Sequence, residues 1–338
     1  NTCLRFDGRD ERLFGSARGR WEESAARGWK DDRGQQHDGT RSVWVCDDLK
    51  VEVTQFVELV RGQASGLLDT CQVRYRIENH DGKGHTVGIR FLLDTFIGGN
   101  DGVPFTIPGD SELCDTLKDL RETKDRPIPD FLQALEKPDL AAPGTVAHLR
   151  LKLEDVKEVP ERVTLGAWPN DRLRVQDRKA LGPATLWEVP LLSMQSLGLN
   201  DSAVVMYWKE QPLGPGAKRE VGFEYGLWSL ASQGSRLATT VDGVFRPGKA
   251  LTVVAYVNQA GQEAEEETVT LDLPPGFNLL EGAATQPVPR PSREAKSTNR
   301  PVTWRVQAGP TGKYEITVKS SAGVSQSVPV EIKGEIFQ

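Results

Sequence analysis

The chain has 338 residues, of which 38% are hydrophobic and 27% are charged, and its formal net charge is −6. This composition is typical of a globular protein and excludes a disordered or collagen-like chain. The acidic balance argues against a nucleic-acid partner, because phosphate backbones are bound by basic surfaces. No stretch reaches the roughly 18 apolar residues of a membrane helix, so we expect no membrane span in this chain.

The chain starts without a methionine or an apolar signal region. We therefore interpret it as a processed or excised form whose targeting segment is missing. The four cysteines are Cys3, Cys46, Cys71 and Cys114, and they have neither CxxC spacing nor a neighbouring histidine. A zinc site is not expected from this pattern. The even number permits two disulfides, whereas burial on strands would leave free thiols.

Most of the first 230 residues alternate between apolar and polar positions, which is the pattern of strands with one face on a core. The clearest run is Cys71–Asn79, and the runs Val43–Val60 and Thr86–Ile97 predict further long strands. The turn sequence His80–Gly84 lies between two of them and predicts a hairpin. We expect long antiparallel strands in succession here.

Helical periodicity is confined to two short segments. Ser111 is a candidate N-cap for a helix that extends to Arg121, with leucines at helical spacing. The segment Asp130–Leu135 follows two prolines and precedes Pro138, which favours a second short helix. Because strand-like runs surround both segments, we predict one or two short helices within an all-β protein.

A small, polar segment at 229–239 is typical of an interdomain linker. After it, five short strand-like runs follow at regular intervals over about 100 residues, with turns between them. This spacing is the signature of an Ig-like β-sandwich, and Trp304 is its expected core anchor. We therefore predict a large antiparallel β-domain at residues 1–230 and an Ig-like β-sandwich domain at 236–338.

One block of the large domain has a family resemblance. Leu92–Gly109, LLDTFIGGNDGVPFTIPG, resembles a block of bacterial β-supersandwich proteins of the galactose-mutarotase-like superfold. Val73–Asn79 and Pro215–Leu227 are similar to the same group, and residues 240–333 resemble the bacterial-surface type of Ig-like module that often follows. The resemblance implies that the large domain is an antiparallel β-supersandwich. It implies a fold much more firmly than an activity.

The Asp94–Asp101 loop is the first candidate binding site. Asp94, Asn100 and Asp101 offer side-chain oxygens within eight positions, beside several glycines, and such oxygens bind a hard cation or sugar hydroxyls. Calcium is therefore one option, although the spacing is not that of an EF-hand loop, and no metal ligand set is assigned. The alternative is structural, because Asn-Asp-Gly also forms tight turns and a buried aspartate can bind backbone amides.

A second candidate binding site follows a predicted strand at Trp168, Asn170 and Asp171. An aromatic ring beside an amide and a carboxylate is the chemistry of glycan recognition. The alternative is that Trp168 packs in a core, as most tryptophans do.

Catalytic motifs are absent from the sequence, and we assign no catalytic residue. None of the four histidines falls in a motif that matches a mutarotase pattern, although a glycosidase needs only two carboxylates. Gly243–Ala250 nearly spells a phosphate-binding loop, but it ends in alanine where a hydroxyl is required and a strand follows it. We interpret it as a turn.

These observations predict a non-catalytic, extracytoplasmic protein (secreted, periplasmic or cell-surface) that needs no cofactor. We expect it to bind glycans or protein partners through loops of the large domain. The alternative is a carbohydrate-active enzyme, of glycosidase or epimerase type, with a carboxylate pair in a concave sheet groove. A third hypothesis is a component of cell-envelope assembly.

Overall fold

The computed structural model describes residues 1–31, 34–63, 66–110, 113–124, 126–140, 142–168, 185–194, 201–228, 231–232, 236–258, 267–290 and 299–334. Within these ranges the protein is all-β, with antiparallel sheets and no helix. Accordingly, none of these residues belongs to a helix that could cross a membrane.

The described strands up to residue 228 form two sheets. The six-stranded sheet has the order β2-β1-β7-β13-β12-β9, and the eight-stranded sheet has the order β3-β4-β5-β6-β14-β11-β10-β8. Their strands are β1 (Thr2–Phe6), β2 (Asp10–Leu13), β3 (Arg20–Lys30), β4 (Gln36–Cys46), β5 (Val51–Arg61), β6 (Leu68–Asn79), β7 (His85–Asp94), β8 (Phe105–Thr106), β9 (Lys118–Arg121), β10 (Phe131–Leu135), β11 (Val146–Arg150), β12 (Arg162–Ala167), β13 (Ser202–Leu213) and β14 (Lys218–Trp228).

These two sheets share one hydrophobic core. On β6, Tyr75 and Ile77 point into it and are almost fully buried, together with Met206 and Trp208 of β13. The alternate residues of β6, such as Arg74, lie on the opposite, outer face of the eight-stranded sheet. The period-two alternation in the sequence therefore separates a sandwich core from a polar outer face.

The remaining strands form a second pair of sheets. The five-stranded sheet has the order β15-β16-β17-β21-β19, and the four-stranded sheet has the order β20-β18-β22-β23. Their strands are β15 (Ala231–Ser232), β16 (Leu237–Gly243), β17 (Ala250–Asn258), β18 (Thr268–Asp272), β19 (Asn278–Glu281), β20 (Thr285–Pro287), β21 (Asn299–Gln307), β22 (Gly312–Ser320) and β23 (Ser325–Ile332). Trp304 is 1% exposed in their shared core, and its indole N–H donates to the carbonyl oxygen of Ala283 at 2.9 Å.

The five-stranded sheet packs on the outer face of the eight-stranded sheet. Leu135 and Val146 of β10 and β11 form a buried apolar cluster with Ala238, Val254 and Tyr256 of β16 and β17. Among the described residues, this contact involves β10, β11 and Trp228 of β14, towards one end of the eight-stranded sheet. Strands β4, β5 and β6 lie towards the opposite end of the same sheet.

The predicted short helices are wrong within the described residues. Asp130–Leu135 contains strand β10, and the only regular structure described between Ser111 and Arg121 is strand β9. All five residues of β10 are buried, between the neighbouring strands and between the two packed layers. A short, continuously apolar run does not distinguish a helix from a fully buried strand, and pairing with neighbouring strands decides the outcome.

The predicted hairpin at His80–Gly84 is also wrong. β6 pairs with β5 and β14, whereas β7 pairs with β1 and β13, so the turn carries the chain from one sheet to the other. The Asn79 side chain fixes this crossover by donating to the carbonyl oxygens of Lys83 and Leu213, both at 2.8 Å.

All four cysteines are free thiols, of which Cys3, Cys46 and Cys114 are buried. Burial raises the pKa of Cys3 to about 11 and that of Cys46 and Cys114 to about 12. These thiols are therefore protonated and unreactive at neutral pH.

Candidate functional site

The predicted Asp94–Asp101 loop brings carboxylates together at one end of the sandwich. Asp94 ends β7, and Asp201 directly precedes β13, which is hydrogen-bonded to β7. Asp101 joins them, because its carbonyl oxygen accepts from the amide of Ser202 at 2.7 Å. One carboxylate oxygen from each aspartate lies within 4.8 Å of the others. We call these three residues the acidic triad.

The acidic triad repels itself electrostatically. Burial raises the pKa of Asp101, and the charge of Asp94 raises it further. Burial also raises the pKa of Asp201, with added contributions from both partners. No lysine or arginine of the described ranges forms an ion pair with the triad. Carboxylate oxygens are the ligands that calcium prefers, so the donor set matches a hard cation.

Asn100 has the structural role that the sequence left open. Its side-chain amide donates to the carbonyl oxygen of Glu136 at 2.8 Å, and its side-chain oxygen accepts from the amide of Gly102 at 3.0 Å. Gly98 allows this turn, since it has φ 61° and a Cβ there would lie 2.2 Å from the carboxyl carbon of Glu136. Asn100 therefore shapes the loop while Asp94 and Asp101 supply the carboxylates.

Trp168 lies at the same end of the sandwich. Its backbone amide donates to the carbonyl oxygen of Asp201 at 2.6 Å, and its half-buried ring packs with a small apolar cluster that includes Leu92. Core packing, the structural alternative for Trp168, therefore accounts for most of its ring. Asn170 and Asp171 lie outside the described residues.

The outer face of the eight-stranded sheet carries rows of hydrogen-bonded polar side chains. In one row Gln72 donates to Glu224 at 3.0 Å, and Arg150 donates to the other oxygen of Glu224, also at 3.0 Å. These three residues stand on β6, β14 and β11, opposite one another in the strand register. Amide, acid and arginine side chains therefore line this part of the outer face.

A second polar row crosses the neighbouring strands. His37 lies 2.6 Å from one oxygen of Glu58, and Arg74 donates to the other at 3.1 Å. Arg74 also donates to Glu220 at 3.2 Å, so one guanidinium holds two carboxylates on this face. Burial raises the pKa of Glu220, although Arg74 opposes the shift. Trp29 stacks on His37 but is 6% exposed, so it offers no open platform for a sugar ring.

Two cavities lie along the line where the five-stranded sheet meets the large sheets. One has a volume of about 820 Å³ and the other about 370 Å³, and both contact Asp130 and Arg305. We call these two neighbouring cavities together the junction groove. The larger cavity is lined by residues 107–110, 119–121, 126–130, 252, 281–282 and 303–305, and the smaller by residues 130, 150, 152–154, 242–244, 246, 249–250 and 305. The predicted turn Gly243–Ala250 forms one wall of the smaller cavity.

Aspartate–arginine pairs line the larger cavity. Arg126 donates to Asp110 at 2.8 Å, and Arg121 donates to Asp119 at 2.8 Å. The side chains of Arg121 and Arg126 are 61% and 63% exposed, so their remaining N–H groups face solvent. Burial would raise the pKa of Asp119, but hydrogen bonds from arginine outweigh it and lower that pKa.

Asp242 of β16 closes the floor of the smaller cavity. Its carboxylate accepts from His148 Nε2 at 2.8 Å and from Arg150, both on β11 of the eight-stranded sheet. The ring of His148 is stacked between Phe131 and Trp228, with centroid distances of 4.8 Å and 4.0 Å. Burial would raise the pKa of Asp242, but Arg150 and His148 lower it to about 2. No residue pattern around His148 in the sequence indicates this partner, which lies 94 residues away along the chain.

No protein-family model matches the chain, and no curated protein matches it. Among solved structures, a polysaccharide lyase is similar over 99% of this chain and 39% of its own, with 9% identity and a TM-score of 0.32. A GH36 α-galactosidase from Geobacillus stearothermophilus is similar over 69% of this chain and 30% of its own, with 11% identity and a TM-score of 0.38. A galactose mutarotase related enzyme from Lactobacillus acidophilus is similar over 62% and 71%, with 10% identity and a TM-score of 0.32.

The chain thus spans between 30% and 39% of the length of the lyase and the galactosidase. Galactose mutarotase-like proteins are among its structural neighbours at low identity, as the resemblance in the sequence anticipated. TM-scores below 0.4 establish neither a family nor an activity for this chain.

Proposed function

We propose that this chain is a non-catalytic glycan-binding protein and that the junction groove is its binding site. The observation that carries the proposal is that two exposed arginines, Arg121 and Arg126, line the larger cavity, each hydrogen-bonded to an aspartate. Such a pair offers acceptor oxygens and planar N–H donors side by side, and together these groups bind adjacent hydroxyls of a sugar. The site thus differs from the loops that the sequence singled out.

The dimensions and charge of the groove favour a neutral oligosaccharide. A cavity of about 820 Å³ is within the usual range for a small-molecule site, and the neighbouring cavity of about 370 Å³, which shares Asp130 and Arg305 with it, suits an elongated ligand. Acidic and basic residues alternate around the larger cavity in nearly equal number. A ligand of strong net charge would be repelled by half of them, whereas hydroxyls are both donors and acceptors.

Ion pairing in the groove supports binding over catalysis. A general acid needs a raised pKa to be protonated at neutral pH. Asp119 and Asp242 instead have lowered pKa values, because arginines hold their ionised forms. They therefore remain hydrogen-bond acceptors throughout the physiological range.

A glycan array followed by calorimetry tests the proposal. We expect a neutral oligosaccharide to bind, and the Arg126→Ala and Arg121→Ala variants to weaken binding about tenfold or more, because each loses exposed donors. Arg20→Ala is the matched control, since Arg20 is a similarly exposed, ion-paired arginine on β3. No binding to any glycan, or binding that both groove variants leave unchanged, would contradict the proposal.

A carbohydrate-active enzyme is the second candidate, and one observation favours it. Glu58 and Glu220 face the same surface on one guanidinium, and the pKa of Glu220 is raised by burial. Two carboxyl groups in different environments are what a glycosidase requires. This candidate predicts that Glu220→Gln abolishes hydrolysis of an aryl glycoside. Glu188→Gln is the control, because Glu188 is an exposed carboxylate outside both proposed sites. Absence of turnover in the wild type would eliminate it.

Domain organisation, location and partners are part of the same proposal. We infer a β-supersandwich domain at 1–230 and an Ig-like domain at 236–338. The order β16-β17-β21-β19 facing β18-β22-β23 is that of the two sheets of a constant-type Ig domain, which supports the inference. We also propose that the protein is extracytoplasmic, that it has a protein partner and that the acidic triad binds calcium. Calorimetry with calcium, with Asp201→Asn as the control variant, tests the last of these.

A further inference from the structure

The contact between the five-stranded and eight-stranded sheets is centred on buried polar groups. Asp242 of β16 is fully buried and is held by His148 and Arg150 of β11. Beside it, the hydroxyl of Thr240 accepts from the indole of Trp228 at 2.9 Å and from the amide of Gln133 at 3.3 Å. Each of these bonds joins one sheet to the other, so their formation coincides with docking of the two sheets.

His148 is the group at this centre whose protonation would add a buried positive charge between the two sheets. The charged groups that face it are Asp242 on β16, Glu224 on β14 and Arg150 on its own strand. Arg150 stays protonated, and Asp242 has a pKa of about 2. Tyr256 of β17, in the apolar cluster beside the contact, has a pKa of about 12 and stays neutral. From β10, the ring of Phe131 stacks on His148, and the uncharged Gln133 lies opposite it in the strand register.

We propose that His148 is a pH-sensitive latch: neutral His148 docks the five-stranded sheet on the eight-stranded sheet, and protonated His148 releases it. The ring is stacked between two aromatic rings, is 5% exposed, and has its Nδ1 buried without a hydrogen-bond acceptor. A proton on Nδ1 therefore places an unsatisfied N–H and a positive charge beside Arg150. Undocking would expose this nitrogen to water.

The direction of the pH effect follows from where the proton binds better. In the docked state burial lowers the pKa of His148, while Asp242 only partly opposes the shift. An exposed histidine has a pKa of about 6.5. The undocked state thus binds the proton more tightly, and docking weakens as the pH falls below about 6.5. The docking constant falls by up to about tenfold per pH unit until the docked pKa is reached.

Release would also dismantle the junction groove, because Arg150 and Asp242 line its smaller cavity from opposite sheets. If the groove binds a glycan, binding should therefore weaken in acid. The latch itself does not depend on the ligand, and it is tested without one.

Small-angle X-ray scattering of the full chain between pH 7.5 and 4.5 tests the latch. We expect the radius of gyration of the wild type to increase as the pH falls through 6, and to recover on return to pH 7.5. His148→Gln keeps an N–H donor for Asp242 but cannot titrate, so this variant should stay docked at pH 4.5. His80→Gln is the matched control, because His80 is exposed and distant from the contact, and it should behave as the wild type.

Three outcomes would overturn the latch. They are a wild-type radius that does not change down to pH 4.5, a His148→Gln variant that opens over the same pH range as the wild type, and a His80→Gln variant that abolishes the transition. If the His148→Gln variant is already open at pH 7.5, the pH dependence of the wild-type radius of gyration decides whether the latch exists. Reversible opening centred below pH 6.5 supports the latch, and its absence refutes it.

Discussion

Asp242→Asn is the substitution whose effect the structure allows us to work out most fully. The wild-type carboxylate is fully buried and accepts hydrogen bonds from His148 and Arg150. Asparagine has the same shape but no charge, so Arg150 loses one of its two carboxylate partners and Glu224 is left as the other. The variant thus isolates the electrostatic part of the contact between the sheets.

Two routes give the magnitude. A pKa of about 2 in the folded protein, against 3.8 for an ordinary aspartate, corresponds to about 2 kcal/mol at neutral pH. Removing one partner of a buried ion pair typically costs about 3 to 5 kcal/mol, because the remaining charge is left uncompensated. We therefore expect Asp242→Asn to lower the free energy of unfolding by about 2 to 5 kcal/mol at pH 7.

The pH dependence has a definite sign. The pKa of Asp242 in the docked protein is depressed, so while the sheets stay docked its contribution is complete above about pH 4 and is lost as the pH falls towards 2. Undocking in acid would reduce this contribution in the same direction. Urea unfolding followed by tryptophan fluorescence measures the difference between the variant and the wild type at pH 7 and at pH 3. Asp272→Asn is the control, because Asp272 forms an exposed ion pair with Lys319 that should contribute less than about 1 kcal/mol.

The reasoning would be refuted if Asp242→Asn and Asp272→Asn had equal effects at pH 7. It would also be refuted if the effect of Asp242→Asn grew as the pH fell to 3. Either result would mean that the buried carboxylate is not held in its ionised form by the opposite sheet.

Three further predictions concern the acidic end of the sandwich and the thiols. Gly98→Ala should lower the free energy of unfolding in urea by about 1 to 3 kcal/mol, because its Cβ would meet Glu136 at positive φ; Gly99→Ala, which meets open space, should not. With a chelator present, Asp201→Asn should raise the melting temperature, because it removes one of three mutually repelling charges. The wild type gains stability as the pH falls through the raised pKa of Asp201 towards 3.8, and the variant should lack this gain. An unchanged pH profile would contradict the repulsion. Of the four thiols, only Cys71 should react with a disulfide reagent in the native protein, since the others are buried; titration of two or more would show otherwise.

The fold class was predictable because its signal is local. Alternation along Cys71–Asn79 depends only on which face of one strand meets the core, and the structure confirms it there. Two of the wrong predictions, at Asp130–Leu135 and His80–Gly84, depend on what lies beyond the segment itself. Burial on all sides makes the first a strand, and a change of sheet makes the second a crossover. Neither the layers that cover β10 nor the sheet that β7 joins can be predicted from the residues of the segment itself.

The candidate sites show the same limit. Asp94 and Asp101 could be predicted as candidate ligand-binding residues because they are close in sequence. The sequence also showed that the loop between them could be either a structural turn or a binding site. Asp201 joins them only because β13 pairs with β7, about 100 residues away. No residue pattern near Asp201 signals a shared site. Carboxylates that repel one another in space are found only after the strand order is known.

The contact between the sheets extends this argument to the molecule as a whole. Burying Asp242 without partners would be costly, so its place in the fold depends on His148 and Arg150 of the other sheet. A buried ion pair gives little net stability over an apolar contact, but it penalises every arrangement in which a charge is left unpaired. The network therefore specifies one docked geometry. A histidine within it then makes that geometry, and the groove that it forms, sensitive to protons.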